Sequence, residues 1–492
     1  MNSIWLSIRY IVLLFFALII YKININQFGK ELVGAWFLIS SIWTFGNALD
    51  LGIGTSVVKF TAEYYFNKKH ELKFLLASSF YLFFMLGICV TIIVYFTGSL
   101  LILNNNALFE NIDITQIQGA YLILGFSFIV RYITIFFRSV LEGMNEFIVT
   151  SKIEIISTLT LFLFVCITSF FNLSISHLAL FYVLVAIITL VFYYYTFHHR
   201  LQYNPLRLSF FKLTYLKKIF NFSLHIQLVT ILGGAIDPVI KYLIGDYLGL
   251  KSVTYYVIGS RFATSISGLF ATALKTILPK TSILQNENEK REFLLVDSKK
   301  YMQLGVFFVI LAFGIAAVFI VWLIKSLYGD DEYIYIFLIL SLAESVVVFS
   351  YTIYIFMMGI GKGQFLTLLQ LLNLILISSA VFVGLYLFAD MIGLIGYFIA
   401  VLICNFLLLY YVKINFEIPM RDFLTDVGIY KIVIFLSGLV VVLLLIYYYG
   451  SPIFITIGIF SLISLLLILS DLRLYILNSM PIISNYFSGF RK

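Results

Sequence analysis

The chain has 492 residues, of which 62% are hydrophobic and only 11% charged, and its formal net charge is +8. Soluble domains carry roughly 45–50% apolar and about 25% charged residues, so this composition excludes a soluble enzyme or binding module. Mean hydropathy is +1.05, and the basic excess fits loops at a membrane surface better than nucleic-acid binding.

Apolar runs of about 18 residues or more recur along the whole chain, with no long hydrophilic domain between them. The expected fold class is an all-α membrane protein with about 14 transmembrane helices. The predicted spans, in chain order, are 4–22, 33–57, 74–103, 117–140, 150–171, 177–197, 219–243, 253–278, 302–327, 333–358, 366–388, 391–411, 431–449 and 452–470. The first contains Arg9 and leads into the second without a small-residue cleavage signal, so it is expected to be retained. Cys89, Cys166 and Cys404 lie far apart in apolar runs, and neither a disulfide framework nor a metal cluster is expected.

Basic residues set the expected orientation. With the N-terminus inside, Lys and Arg fall on the inner side about five times as often as on the outer. Among the inner ones are Lys59, Lys73, Lys212, Lys217, Lys218, Lys299 and Lys413; Lys22, Lys30, Lys241, Lys251 and Lys325 are the outer ones. Both termini are therefore expected in the cytoplasm.

The longest basic connection, His198 to Lys218, separates the first six spans from the next six. The expected domains are an N-lobe at 1–200, a basic cytoplasmic linker at 201–218, a C-lobe at 219–412, and two extra spans with a tail at 413–492. The halves look alike. The run from Phe28 to Leu38 matches that from Leu248 to Ile258 at an offset of 220, and Gly143 to Phe147 matches Gly361 to Phe365 at an offset of 218. Six spans per half preserve topology, so the repeats would be parallel, related by an axis along the membrane normal.

Charges inside spans are the candidate functional residues. Arg131 and Arg138 lie seven residues apart in one span, on one helix face and about 10 Å apart along the axis. An arginine at such depth faces protein or a wet cavity, so Arg131 either lines a cavity or sits in an ion pair. Arg138 is nearer the cytoplasmic end, where snorkelling to the headgroups is the alternative. Arg261 falls in the outer part of span 8. Among the acids, Asp50 is a coupling group or the partner of a neighbouring arginine. Asp237 precedes Pro238 and follows Gly233 and Gly234, a combination that predicts a kinked or locally broken hinge helix. Glu344, nearest the midplane of span 10, is either a protonatable coupling group or half of a salt bridge. His225 reads as a hydrogen-bonded interior residue. Several inward guanidinium groups favour an anion, and their planar fork suits phosphate oxygens.

Enzyme motifs are absent from the sequence. Gly359 to Gly363 is glycine-rich but lacks the spacing of a phosphate loop, and reads as the turn between spans 10 and 11. No zincin helix or nucleophile elbow occurs. No metal and no cofactor are expected, and transport would draw on a gradient, of H+ or Na+, or on the substrate's own free energy.

Taken together, the run from Phe28 to Trp36, the stretch Asp50-Leu51-Gly52-Ile53-Gly54 and the later Ala62-Glu63-Tyr64 resemble the polysaccharide-transport family. That family belongs to the multidrug/oligosaccharidyl-lipid/polysaccharide exporter superfamily and includes the Wzx-type O-antigen flippases. The resemblance implies two six-helix lobes in a V around a cationic cavity, plus two C-terminal helices. It also implies flipping of an undecaprenyl-pyrophosphate-linked oligosaccharide across the bacterial inner membrane. Arg131, Arg138 and Arg261 are the positions it matches to the cavity. The partners it implies are the lipid-linked oligosaccharide, membrane lipid, and a glycan polymerase with other assembly proteins. Two other classes stay open: a cation-coupled multidrug antiporter, which needs an acid-lined pocket, and a membrane glycan polymerase or ligase, which needs a long outer loop.

Overall fold

A computed structural model describes residues 2–48, 51–67, 69–104, 109, 112–201, 207–274, 277, 281, 284, 286–449 and 452–468. Among these residues all regular structure is helical. Contacts divide the chain into two units. Unit 1 is Met1–Ile258 with Gly363–Gly393, and unit 2 is Gly259–Lys362 with Leu394–Lys492.

Unit 1 contains α1 (Asn2–Ala48), α2 (Leu51–Asn67), α3 (Lys69–Asn104), α4 (Ile114–Gly143), α5 (Phe147–Phe170), α6 (Ile175–Leu201) and α7 (Leu213–Leu248). It also holds the first part of α8 (Leu250–Leu274), and, later in the chain, α13 (Gly363–Phe388). Where the sequence predicts a loop between spans 1 and 2, α1 stays helical except at Gly29, whose φ is 78° and ψ 167°. Gly249, its expected repeat mate, separates α7 from α8 with φ 80° and ψ 167°. Such a conformation is essentially open to glycine alone. At neither position is there an atom within 4 Å of where a Cβ would sit, so backbone geometry, rather than space, demands the glycine.

The same two segments cross. A Cβ on Gly34 would collide with the Leu250 carbonyl, while the Thr254 hydroxyl donates to the Lys30 carbonyl at 2.7 Å. Under the 220-residue offset Lys30 matches Leu250 and Gly34 matches Thr254, so each contact is the other's symmetry mate. The second match needs a correction. Asn145 (φ 67°) and Gly361 (φ 80°) each end a helix in the left-handed region. In the first turn, Asn145 N–H reaches Glu142 O at 3.0 Å and Glu146 N–H reaches Leu141 O at 3.0 Å. In the second, Gly361 N–H reaches Met358 O at 3.2 Å and Lys362 N–H reaches Met357 O at 3.1 Å. Both are Schellman turns. Their equivalence puts the offset at 216, since the turn is carried by Asn in one half and Gly in the other.

Unit 2 holds the rest of α8, then α9 (Glu287–Phe293), α10 (Lys299–Val309), α11 (Ala317–Tyr328), α12 (Glu332–Gly359), α14 (Ile395–Phe416), α15 (Met420–Val427), α16 (Ile429–Tyr449) and α17 (Ile453–Ile468). Two π-helical segments, Leu294–Ser298 and Ile310–Ile315, join α9, α10 and α11 into one long span. The second segment is where α17 docks: the Ser461 hydroxyl donates to the Gly314 carbonyl at 2.7 Å. Near the other end of α10, Lys299 pairs with Asp426 of α15 at 2.5 Å, and Gln303 donates to the Asp426 carbonyl at 2.9 Å. Both C-terminal additions are thus tied to this span. At the centre of the unit lies α12, 89% buried over its apolar window.

Eleven described helices are long and apolar enough to cross a membrane. The remaining expected spans are the second half of α1 with α2, the more polar α8, and the shorter α17. Together they account for the predicted 14.

Candidate functional site

In unit 1 three of the intramembrane charges, Arg138, Asp237 and Lys241, are met within one helical turn or by the next helix. Arg138 Nε donates to Glu142 at 2.9 Å, one turn on in α4, and a second amine lies 3.6 Å from Glu154 of α5. Tyr193 of α6, fully buried, donates to the same Glu154 carboxylate at 3.1 Å. Beside them Arg200 pairs with Glu146 at 3.1 Å. These contacts bind the ends of α4, α5 and α6 into one polar cluster. Arg131, two turns earlier on α4, is half-buried.

On α7, Asp237 pairs with Lys241 at 2.6 Å, again one turn apart. Lys241, counted at the outer end of span 7, is 8% exposed, a buried cation whose charge Asp237 balances. The predicted break is not seen: α7 stays helical through Gly233, Gly234 and Pro238. The glycine has a packing reason, because a Cβ on Gly233 would lie 3.0 Å from the Gln370 amide of α13. Asp50 lies outside the described residues, as does the side chain of His225.

In unit 2 the pattern differs. A Cβ on Gly259 would sit 2.8 Å from Ile336, so α8 and α12 approach closely there. Eight residues further along both helices, Ser267, whose hydroxyl donates to the Thr264 carbonyl at 3.1 Å, lies beside the buried Glu344. The two helices therefore run parallel. No described basic group lies within ion-pair distance of Glu344, so the salt-bridge alternative is not realised among the described residues. Arg261 lies on α8 between these two contacts, exposed and without an ion pair to any described residue. Below Glu344 on α12, Ser350 donates to Asn405 of α14, and the Tyr351 and Tyr354 rings stack at 6.1 Å.

The structure thus puts Arg131 and Arg138 on one helix, Asp237 and the hinge candidates on another, and Arg261 with Glu344 in unit 2. Sequence reading missed Glu142, Glu154, Tyr193, Ser267 and the pairing of Lys241. The four-residue spacings of Arg138–Glu142 and Asp237–Lys241 were available as a signal. Glu154, Tyr193 and Ser267 come from other helices and carried none.

The described chain is a set of long apolar helices with two matching glycine breaks and with charges placed along its spans. Among solved structures the chain resembles an inward-facing multidrug-resistance MATE transporter of the MOP superfamily (TM-score 0.65, 15% identity, covering 85% of this chain and 98% of that one). It also resembles the lipid II flippase MurJ in an inward closed conformation (TM-score 0.66, 18% identity, 96% and 99% covered). A third likeness is to a MOP-superfamily transporter from Pyrococcus furiosus (TM-score 0.60, 16% identity, 85% and 95% covered). At these identities the likeness concerns the fold. No curated protein matches the sequence. Residues 34–295, just over half of the chain, match the family described as "Polysaccharide biosynthesis protein", and the chain belongs to that family. By its long apolar helices it is a multi-pass membrane protein, and its fold is the one these transporters share.

Proposed function

We propose that this transporter flips an undecaprenyl-pyrophosphate-linked oligosaccharide from the cytoplasmic to the periplasmic leaflet of the bacterial inner membrane, with both termini in the cytoplasm. The observation that carries this reading is the family match over residues 34–295, and the MurJ likeness over 96% of the chain agrees with it. Arg131 on α4 and Arg261 on α8 are each assigned to contact with the anionic head group. An exposed arginine in a membrane span is too costly against lipid, so Arg261 faces water or an anion. Arg138 already has two carboxylates, and its role is to hold the α4–α6 cluster together. The lipid tail stays in the bilayer while the head group crosses by alternating access.

Glu344, buried and without a basic partner among the described residues, is the group we assign to H+ or Na+ coupling. Gly233, Gly234 and Pro238 allow α7 to bend during the cycle, because proline removes one backbone hydrogen bond and glycine allows close approach. A multidrug antiporter is the poorer reading, since Glu142, Glu154 and Asp237 are already neutralised by basic partners.

The test is restoration of surface glycan in a flippase-null strain. Arg131→Glu and Arg261→Glu should each abolish display at unchanged protein level. Full display from both variants removes the cationic assignment.

A further inference from the structure

One basic surface of unit 1 is unused by the flipping reading. The connection from α6 to α7 enters through a short 3-10 turn, Leu208–Phe210, and is laid against the start of α3. Ser78 fixes it: its hydroxyl accepts from the Lys212 N–H at 3.0 Å and donates to the Lys212 carbonyl at 3.1 Å. Aromatic rings complete the seat. Phe210 packs edge-on against Phe74 at 5.9 Å, Phe211 against Tyr81 at 5.9 Å, and Tyr215 stacks on Phe74 at 6.3 Å.

Two ammonium groups lie on that platform. Lys212 Nζ is 3.8 Å from the centre of the Phe74 ring, and Lys73 Nζ is 5.2 Å from Phe74 and 5.1 Å from Phe210. The neighbouring acids are engaged elsewhere. Glu71 accepts from the Tyr215 hydroxyl at 2.6 Å, and Glu63 faces Lys218 at 3.6 Å. Lys218 also donates to Tyr64 at 3.2 Å. Neither Lys73 nor Lys212 has an ion pair with a described residue. Lys217 and Arg207 add exposed positive charge on the same connection. Each ammonium is held at the same aromatic cluster with no carboxylate to balance it among the described residues, and an anion at either one supplies the missing countercharge. The rings beneath are characteristic of the bilayer interface, where lysine stems lie on apolar surface and the ammonium meets the headgroups.

We infer that Lys73 and Lys212, on the Phe74–Phe210 platform, bind the phosphate groups of an anionic membrane lipid at the inner leaflet. A lysine pair is suited to this, because each ammonium is a compact point charge with three donors. The backbone tie to Ser78 means that one of the two cations is already positioned, so little ordering is needed on binding. The lipid is either a polyprenyl diphosphate or an abundant anionic phospholipid; both present the same phosphate oxygens. The inference rests on the orientation of the proposed function, which puts this connection at the inner leaflet, and it needs no transport step.

The test is direct binding, with no transport step. The full chain in neutral phosphatidylcholine nanodiscs is titrated with undecaprenyl diphosphate, and bound lipid is counted by native mass spectrometry. The Lys73→Gln/Lys212→Gln variant should bind about tenfold more weakly, Lys73→Arg/Lys212→Arg should retain binding, and the remote Lys413→Gln should match the wild type. Adding phosphatidylglycerol assigns the occupant. Competition identifies bulk anionic lipid, and undiminished diphosphate binding identifies the polyprenyl lipid. Equal affinity of the glutamine pair and the wild type for both lipids overturns the site, as does equal weakening by Lys413→Gln. Should the glutamine pair fail to fold, wild-type affinity that does not fall between about 0.05 and about 0.5 M salt overturns it equally.

Discussion

The two contact units treat intramembrane charge differently. In unit 1 Arg138 has Glu142 and Glu154, and Lys241 has Asp237. In unit 2 Arg261 and Glu344 form no ion pair with a described residue, although they lie on neighbouring helices. A pair inside a membrane protein holds helices together and keeps charge from lipid, and it loses more when one partner is removed than when both are. A lone charge has no such structural return, and persists where water or a ligand meets it. The contrast separates residues expected to act on folding from those expected to act on transport.

The largest effect that can break this comparison is the loss of transport in Arg261→Gln and Glu344→Gln. Both should purify with thermal unfolding near that of the wild type while glycan display falls to background. A large drop in melting temperature for either would move it into the structural class. Next in size is the α7 pair. Asp237→Ala strands a buried ammonium and should cost about 3 kcal/mol, whereas Lys241→Met leaves a half-exposed carboxylate and should cost about 1 kcal/mol. The double variant should recover most of the loss, as read by thermal unfolding in detergent. Equal single losses would mean that the pair is not asymmetrically buried.

The glycine breaks sharpen the comparison of the repeats. Gly29→Ala and Gly249→Ala each force a side chain into glycine-only backbone and should each cost about 1–3 kcal/mol. Similar losses are expected because the two dihedral pairs match within a few degrees. The smallest effect concerns the strap. Partial burial, and then the Glu71 carboxylate, hold the Tyr215 hydroxyl above its ordinary value. A raised folded-state value means that this contribution is complete below the usual tyrosine range and is lost as pH rises through the folded value. Tyr215→Phe should therefore lower stability slightly at neutral pH and flatten the alkaline end of the profile, where the wild type loses the same contribution.

Much of the fold was legible in the chain. Long apolar runs have one solution in lipid, a helix with all backbone groups paired, so span number and class follow from hydropathy. The repeat was legible at Gly29 and Gly249 because a backbone conformation closed to other residues leaves the same letter in both halves. It slipped by two residues at Asn145 and Gly361, where two residue types satisfy one turn. Candidate charges were visible as residues out of place in apolar runs, but their partners were only partly so. Glu142 and Lys241 follow from helical periodicity.

Glu154, Tyr193, Ser267 and the Lys73–Lys212 platform were decided by tertiary structure. The sequence by itself determined what must avoid lipid, because solvation acts on each residue separately. Only the packing of helices distant in sequence decided which charges meet an opposite charge and which stay open, because neutralisation depends on distances of a few ångströms that no local pattern encodes.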